Sequence, residues 1–496
     1  MRHKIQSSLT AMVTLGLILG ATSPAAAQST NDSFEPAFFT QYAPRNAQDM
    51  LNRIPGFQIQ GADNRRGLGQ GGANVLVNGE RLTGKSDVEQ PWKSQAIRRW
   101  LACVLGEKFP AMTGFIHNRQ PVMASNPGLA IVGLPNSSTG VGSNLHMSLR
   151  AFQKLGLNPD IRDAADHFKP FESTKRPGGA LRLKRDIVLH HVNADRIPQS
   201  VISPCQSRAA KTTHVGFLLW EFDRIPKSHR LAIDLLDEIW VPSRFVRTCY
   251  ARAGSKPVHN VLKGINIPKV AACNLNEYGV PLDRRIFLTC FDFHSSLTRK
   301  NPLAAVRAFR NAFPTSRDVH LIIKTTPPVS NHWGDPEGQM AEIIDMVARD
   351  DRITLLTDHL PFHQLLALIA ASDCLVSTHR AEGFGLMPAY ALGLGVPVMS
   401  TDYSGTTDFC TEETSFPISC DLVPVDPSHV MHPMTDARWA EIDIEHLAAT
   451  MQRFADDPLD GRMRAVRGKK LITSRYSPAR QAERYRARLK ALDALT

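Results

Sequence analysis

Apolar and polar positions divide this chain into regions of different rhythm. From about Leu129 onward, short apolar runs of strand length alternate with stretches of helical spacing. In the first half the runs 129–134, 186–193, 214–220 and 238–242 read as strands. In the second half 285–293, 319–324, 352–357, 373–378 and 396–401 do so. Helical segments over 302–312, 338–348, 362–371 and 386–394 separate the latter set. Asn301-Pro302 reads as an N-cap followed by proline at the first helical position. Apolar strands joined by helical crossovers predict parallel sheets covered on both faces. Two such blocks, meeting near 265–283, predict an α/β protein of two Rossmann-like domains facing across a cleft, with ligands at the carboxyl ends of the strands. The first domain is expected over 126–270 together with a C-terminal helix over 478–496, and the second over 271–477.

The first ninety residues follow neither rhythm. Arg2 and Lys4 precede an apolar stretch from Leu9 to Ala21 and then Ala25-Ala26-Ala27. This pattern reads as a secretory signal over 1–27 and is too short to span a bilayer. Residues 28–90 are rich in Gly, Asn, Gln and Arg. Within them a short helix is stopped at Pro55-Gly56, a glycine-rich loop follows, and Val75 to Leu82 reads as strand, Asn-Gly turn, strand. Residues 91–125 read as a junction.

Composition changes the picture in two places. The 496 residues include 58 Lys+Arg against 47 Asp+Glu, a net charge of +11. The excess is local: between Arg462 and Thr496 eleven Lys/Arg face only Glu483 and Asp493. That distribution argues against a nucleic-acid partner, for which a basic surface should run over the fold. The cationic helix from Ser477-Pro478 onward reads either as a solvated face or as a surface for anionic lipid. The eight cysteines form no C-x-x-C pair, which excludes a disulfide scaffold or a zinc ribbon. They read as buried free thiols.

The densest chemistry lies in the string Ser377-Thr378-His379-Arg380-Ala381-Glu382-Gly383-Phe384-Gly385-Leu386, which follows a strand and opens a helix. Glycines there permit a close backbone approach, and the helix N-terminus favours a phosphate or diphosphate. Taken with Ala391 to Val398, Thr401 to Phe409, Phe291 to Pro302, Ile131 to Gly142, Leu219 to Phe222 and Asp237 to Ser243, the string resembles the donor-binding region of retaining GT-B glycosyltransferases of family four. The likeness covers roughly 125–495. It implies transfer of a sugar from a nucleotide-sugar donor to a saccharide or lipid-linked acceptor of the bacterial envelope. It implies no cofactor and no metal, and no D-x-D follows a strand. Catalytic roles fall on Glu382, at the donor sugar's hydroxyls, and Lys300, with Arg299 beside it, at the leaving diphosphate. His379, Gly383, Phe384, Gly385, Leu386 and Tyr390 line the donor side. Gly140 and Gly142 resemble the glycine-rich loop of the first domain. His191, at the end of a strand facing the cleft, is either a ligand contact or a packed core histidine.

Two departures stand out. Tyr390 occupies the position where the family has a second Glu, which accepts hydrogen bonds from the nucleotide ribose. Ser295 occupies the place of an Arg five residues before the lysine, and Lys324 is the candidate to supply that charge. Residues 28–90 resemble a truncated plug of TonB-dependent outer-membrane receptors, on "DMLNRIPGF" and "VLVNGERLTGKSD". The rival readings are therefore a receptor fragment and, from Tyr390, a catalytically weak sugar-nucleotide binder. A signal peptide implies export, whereas nucleotide sugars are cytoplasmic. The expectation is that the first 90 residues are a rearranged or mis-joined fragment on a cytoplasmic enzyme, peripheral to the inner membrane.

Overall fold

The computed structural model describes residues 76–77, 80–81 and, between 128 and 495, all but 138–139, 166–168, 171–182, 203–211, 255, 294, 328–334, 336–337 and 431–433. The chain divides into two compact units, residues 1–63 with 70–98 and residues 64–69 with 99–496. In the first unit β1 (Leu76–Val77) and β2 (Glu80–Arg81) pair antiparallel, with Val77 opposite Glu80 across Asn78-Gly79. The expectations for a signal peptide, for the rest of the plug-like segment and for the junction lie outside the described residues.

The second unit holds two sheets. The first lobe runs β3 (Leu129–Gly133), α1 (Gly140–Lys154), β4 (Asp160–Asp163), β5 (Lys169–Pro170), β6 (Ile187–His190), α2 (Ile197–Ile202), β7 (Thr213–Phe217), α3 (Arg230–Leu235), β8 (Glu238–Val241), α4 (Arg244–Ala253) and β9 (Val258–Asn260). Its seven strands lie in the order β5-β4-β3-β6-β7-β8-β9. All neighbours are parallel except the edge strand β5.

The second lobe runs β10 (Arg285–Cys290), α5 (Leu297–Lys300), α6 (Pro302–Ala312), β11 (Val319–Lys324), α7 (Gln339–Ala348), β12 (Ile353–Leu356), α8 (Phe362–Ala371), β13 (Cys374–Ser377), α9 (Leu386–Leu394), β14 (Val398–Thr401) and β15 (Phe416–Ile418). These six strands form a parallel sheet in the order β12-β11-β10-β13-β14-β15. An antiparallel pair, β16 (Cys420–Pro424) and β17 (Arg438–Ile442), follows, and then α10 (Ile444–Asp456), α11 (Leu459–Arg475) and α12 (Pro478–Ala491).

The central strands are buried along their whole length, as β11 (VHLIIK) and β6 (IVLH) illustrate, because helices cover both faces. Core clusters lie on each side of the second sheet, one around Phe287, Phe309 and Phe454 and the other around Leu288, Leu366 and Leu392. The last helix returns to the first lobe. Ser477 caps it by accepting from the Arg480 amide, and Tyr485 and Leu489 enter the core beside Ile131 and Phe152. Tyr485 Oη meets Ser148 Oγ at 2.5 Å.

Several elements differ from the sequence reading. The strand read over 186–193 is only Ile187–His190. Asn301 is not a side-chain cap. It adopts a left-handed conformation (φ 51°) and makes no capping bond. Its amide closes α5 on Leu297 O at 2.7 Å, and Pro302 opens α6 directly after it. Asparagine is among the few residues that accept this conformation at low cost.

Candidate active site

The loop after β13 is bound to the α5 turn at several points. Thr378 Oγ1 donates to Asn301 O (2.6 Å), the Arg380 amide to Arg299 O (2.7 Å), and Arg299 Nη1 to Ala381 O (2.8 Å). These bonds bring Lys300 and Arg299 to Glu382. Lys300 Nζ donates to Glu382 Oε1, and Arg299 Nη1 lies 3.5 Å from the same oxygen. Only 15% of the Glu382 side chain is exposed. Burial would raise its pKa, but the Lys300 and Arg299 cations outweigh that and hold it at about 2. The carboxylate is therefore ionised and fixed in place. Arg299 also spans to Ser295 Oγ (2.9 Å), so the serine in the arginine's place is a partner of the existing cation.

His379 is buried and neutral. Its Nδ1 meets Ser377 Oγ (3.0 Å) and its Nε2 meets Thr406 Oγ1 (3.1 Å). Burial, opposed by Glu382 and reinforced by Lys300, lowers its pKa to about 4. With both nitrogens occupied by protein, it holds the loop rather than offering a free ring atom.

The glycines are needed by close packing of the protein around the loop. A Cβ on Gly383 would stand 2.7 Å from Trp220 O, and one on Gly385 (φ 90°) 2.4 Å from Thr406 Cγ2. A Cβ on Gly405 would stand 2.3 Å from Gly383 O. Close protein packing on this side turns the loop's amides elsewhere. Among the described residues no acceptor meets the N–H groups of Gly383, Phe384 and Gly385, which lead into Leu386 at the start of α9. Those amides and the helix end form a cradle for anionic oxygen. The Phe384 ring itself is core, 5.1 Å from Phe409.

Tyr390 packs its ring against Phe362 at 5.1 Å, and burial pushes its phenol up to about 12. It stands within electrostatic reach of Arg150 on α1. Lys324 is not available as the substitute cation. Its Nζ is buried and donates to Thr325 O and to Asp358 O (2.8 Å).

The first lobe closes on this site. Ser243 Oγ donates to Gly383 O (2.6 Å), and Asp408 receives the Arg244 amide (2.9 Å) and Nε (2.7 Å) at the start of α4. Gly142 is required by packing, since a Cβ there would lie 2.1 Å from Ser137 O, whereas Gly140 faces open space. His191 sits just beyond β6. Its Nδ1 is met by Asn144 Nδ2 at 2.9 Å, which leaves the ring proton on Nε2. Burial, with Lys263 and His146 nearby, lowers its pKa to about 3, so it stays neutral.

Lys263, in the segment joining the lobes, went unnoticed in the sequence. It is 2% exposed, stands 5.5 Å from the Phe384 ring centroid and lies within electrostatic reach of Glu382 and His191. Burial lowers its pKa to about 8, against the pull of Glu382 and Glu221. Among the described residues no group of three or more His, Cys, Asp or Glu is placed to hold a metal ion.

Residues 279–484 match the sequence model of family 4 glycosyltransferases in conflict systems. A lipopolysaccharide core biosynthesis mannosyltransferase, LpsB of Rhizobium meliloti, is 31% identical over 123 residues, 24% of this chain. The chain spans about a third (34%) of that relative's length. Among solved structures, sucrose-phosphate synthase of Thermosynechococcus elongatus aligns with a TM-score of 0.55 at 14% identity, over 74% of this chain and 99% of that one. A glycosyltransferase of Rickettsia africae aligns at 0.54 and 13%, over 74% and 99%. Anabaena HepE in complex with UDP and glucose aligns at 0.52 and 13%, over 74% and 100%. The fold is GT-B.

Proposed function

We propose that this protein, whose residues 279–484 form a family 4 glycosyltransferase domain within a GT-B frame, transfers a sugar from a nucleotide-sugar donor to a saccharide or lipid-linked acceptor of the cell envelope, with retention at the anomeric carbon. The observation that carries the reading is the ionised, buried Glu382 beside Lys300 and Arg299, next to the unpaired amides of Gly383 to Gly385. Breaking the anomeric bond leaves negative charge on a diphosphate. Cations and N–H dipoles already aimed at that place stabilise the transition state without reorganising. In this reading Glu382 accepts hydrogen bonds from the donor sugar's hydroxyls, and Lys300, Arg299 and the α9 amides hold the diphosphate. The test is to incubate the full chain with UDP-, GDP- and ADP-sugars and truncated envelope saccharides, following nucleotide release and the product's anomeric proton signals. Release and transfer that vanish in Glu382→Ala are expected. No turnover with any donor, or full activity in Glu382→Ala, would overturn the reading.

The Tyr390 phenol in place of a carboxylate favours one second reading, a sugar-nucleotide binder with weak turnover. It is distinguished by nucleotide affinity without release.

Peripheral attachment to an anionic membrane is part of the proposal. Arg488 and Arg480 of the cationic tail are engaged, at Glu238 (2.7 Å) and Glu483 (2.7 Å). The freer surface is α11, where Leu459, Met463 and Val466 are exposed at i, i+4 and i+7 among Arg462, Arg467 and Lys470. No helix among the described residues is long and apolar enough to cross a membrane. Co-sedimentation with phosphatidylglycerol vesicles that Met463→Glu abolishes would support attachment, and binding unmoved by salt and by this change would refute it. We place the reaction on the cytoplasmic side, where nucleotide sugars are made. Mass spectrometry of the natural N-terminus tests this, and a mature chain starting at Gln28 would refute it.

A further inference from the structure

Three polar side chains in the interlobe region are buried and have unused bonding capacity. Asn144, His191 and Lys263 are 1%, 1% and 2% exposed. The Asn144 Oδ1 atom and the His191 Nε2 atom have no hydrogen-bond partner. No hydrogen bond or ion pair to a described residue engages Lys263 Nζ, whose contact is with the Phe384 ring face. Asn144 and His191 are bonded to each other at 2.9 Å, and Lys263 is close enough to act on the His191 ring. One element each brings them together: the start of α1, the end of β6 and the segment between the lobes.

An unpaired buried ammonium is costly unless an anion joins it. Two carboxylates act on Lys263: Glu382, already shared by Lys300 and Arg299, and Glu221, which makes no ion pair with Lys263. Lys263 thus adds positive charge that no described side chain pairs with directly, and His191 adds an unpaired buried N–H donor within its electrostatic reach. Two donors, one of them cationic, with an amide oxygen as acceptor, suit an anionic oxygen flanked by a hydroxyl.

Resting on the function proposed above, we infer that Lys263, His191 and Asn144 form a built subsite for an anionic oxygen of the donor. Two parts of a donor carry such oxygen, the diphosphate and the carboxylate of a hexuronate sugar. Both present the same chemistry to Lys263, and one experiment tells them apart.

The experiment is calorimetric titration of the full chain, as wild type, Lys263→Met and Lys263→Arg, with pyrophosphate, glucuronate, UDP-glucose and UDP-glucuronate. Lys263→Met should weaken binding at least about tenfold, and Lys263→Arg, which keeps the charge, should recover part of it. Losses shared by pyrophosphate and both UDP-sugars assign the diphosphate. A loss confined to glucuronate and UDP-glucuronate assigns the carboxylate. Pyrophosphate or glucuronate binding that depends on Lys263, with neither UDP-sugar bound, would keep the subsite and refute a UDP-sugar as donor, and the same titration with GDP- and ADP-sugars, if also silent, would refute the glycosyltransferase reading. Equal affinity of wild type and Lys263→Met for every probe, or no binding of any probe by wild type, would overturn the subsite. The thermal midpoint separates a structural role. Removing an uncompensated buried cation should leave it unchanged or raise it, whereas a lysine needed only for packing would lower it.

Discussion

Replacing Glu382 by glutamine keeps the side chain's shape and removes the charge on which the site is built. The folded carboxyl titrates at about 2 against an ordinary value of 4.5, because Lys300 and Arg299 outweigh the cost of its burial. Its folded value lies below its unfolded one. Its contribution to stability is therefore present above pH 4.5 and is lost as pH falls toward 2. With each pH unit of difference equal to about 1.4 kcal/mol, the contribution is about 3 kcal/mol at pH 7 and about 2 kcal/mol at pH 3.5. The side chain's low exposure means that solvent screens little of this. Urea denaturation of wild type and Glu382→Gln, followed by tryptophan fluorescence, measures the gap at both pH values. Trp220 is a suitable reporter, since its carbonyl stands against Gly383. The expected result is a destabilised variant whose deficit narrows as the solution is acidified. Equal stability at pH 7, or a deficit that widens toward low pH, would refute the assignment of Glu382 as a carboxylate held by cations.

Three further changes have defined outcomes. Arg488→Ala removes the two-pronged partner (2.7 and 2.8 Å) of Glu238, which is 2% exposed and keeps only the Trp240 indole N–H at 2.7 Å and His259 at 3.8 Å, and should cost about 3 kcal/mol in denaturant titration. Gly405→Ala forces a methyl against the Gly383 carbonyl and the Phe384 amide, neither of which can yield cheaply. It should cost about 2 kcal/mol and impair donor binding, while Gly140→Ala, with open space around it, should do neither. Tyr390→Glu restores an acceptor for ribose hydroxyls and should tighten UDP binding in calorimetry, at some expense in stability because the new carboxylate replaces a ring packed on Phe362.

What the sequence revealed follows the strength of its hydrophobic signal. The helices Pro302–Ala312, Phe362–Ala371 and Leu386–Leu394 have the limits expected from spacing, because each is apolar toward a sheet and bounded by proline, serine or glycine. Edge and surface elements were missed. The strand Asp160–Asp163 reads DIRD, with only Ile161 buried, and an isolated apolar residue makes no period. Helix α11 buries only Gly461, Ala465, Gly468 and Ile472, so its inner face is nearly invisible in a hydropathy pattern.

The site was legible where its chemistry is local and obscure where it depends on the lobes meeting. Arg299 and Lys300 lie on α5 after β10 and Glu382 in the loop after β13, neighbouring strands of one parallel sheet, and local bonds between that loop and the α5 turn complete their meeting. Lys263 sits between Leu262 and Gly264, where it reads as a linker cation, and its burial arises only once both lobes pack around it. That difference changes the account of charge in the cleft. Ser295 in place of an arginine pointed to Lys324 as the substitute, yet Lys324 is tied to two main-chain carbonyls. Arg299 and Lys300 together carry two positive charges and share one Glu382 carboxylate, which leaves a single net charge facing a diphosphate that bears more than one. In the proposed subsite Lys263 supplies a second. In the proposed reading an anion between the lobes meets that charge in the arrangement where Ser243 donates to Gly383 O and Asp408 holds the start of α4.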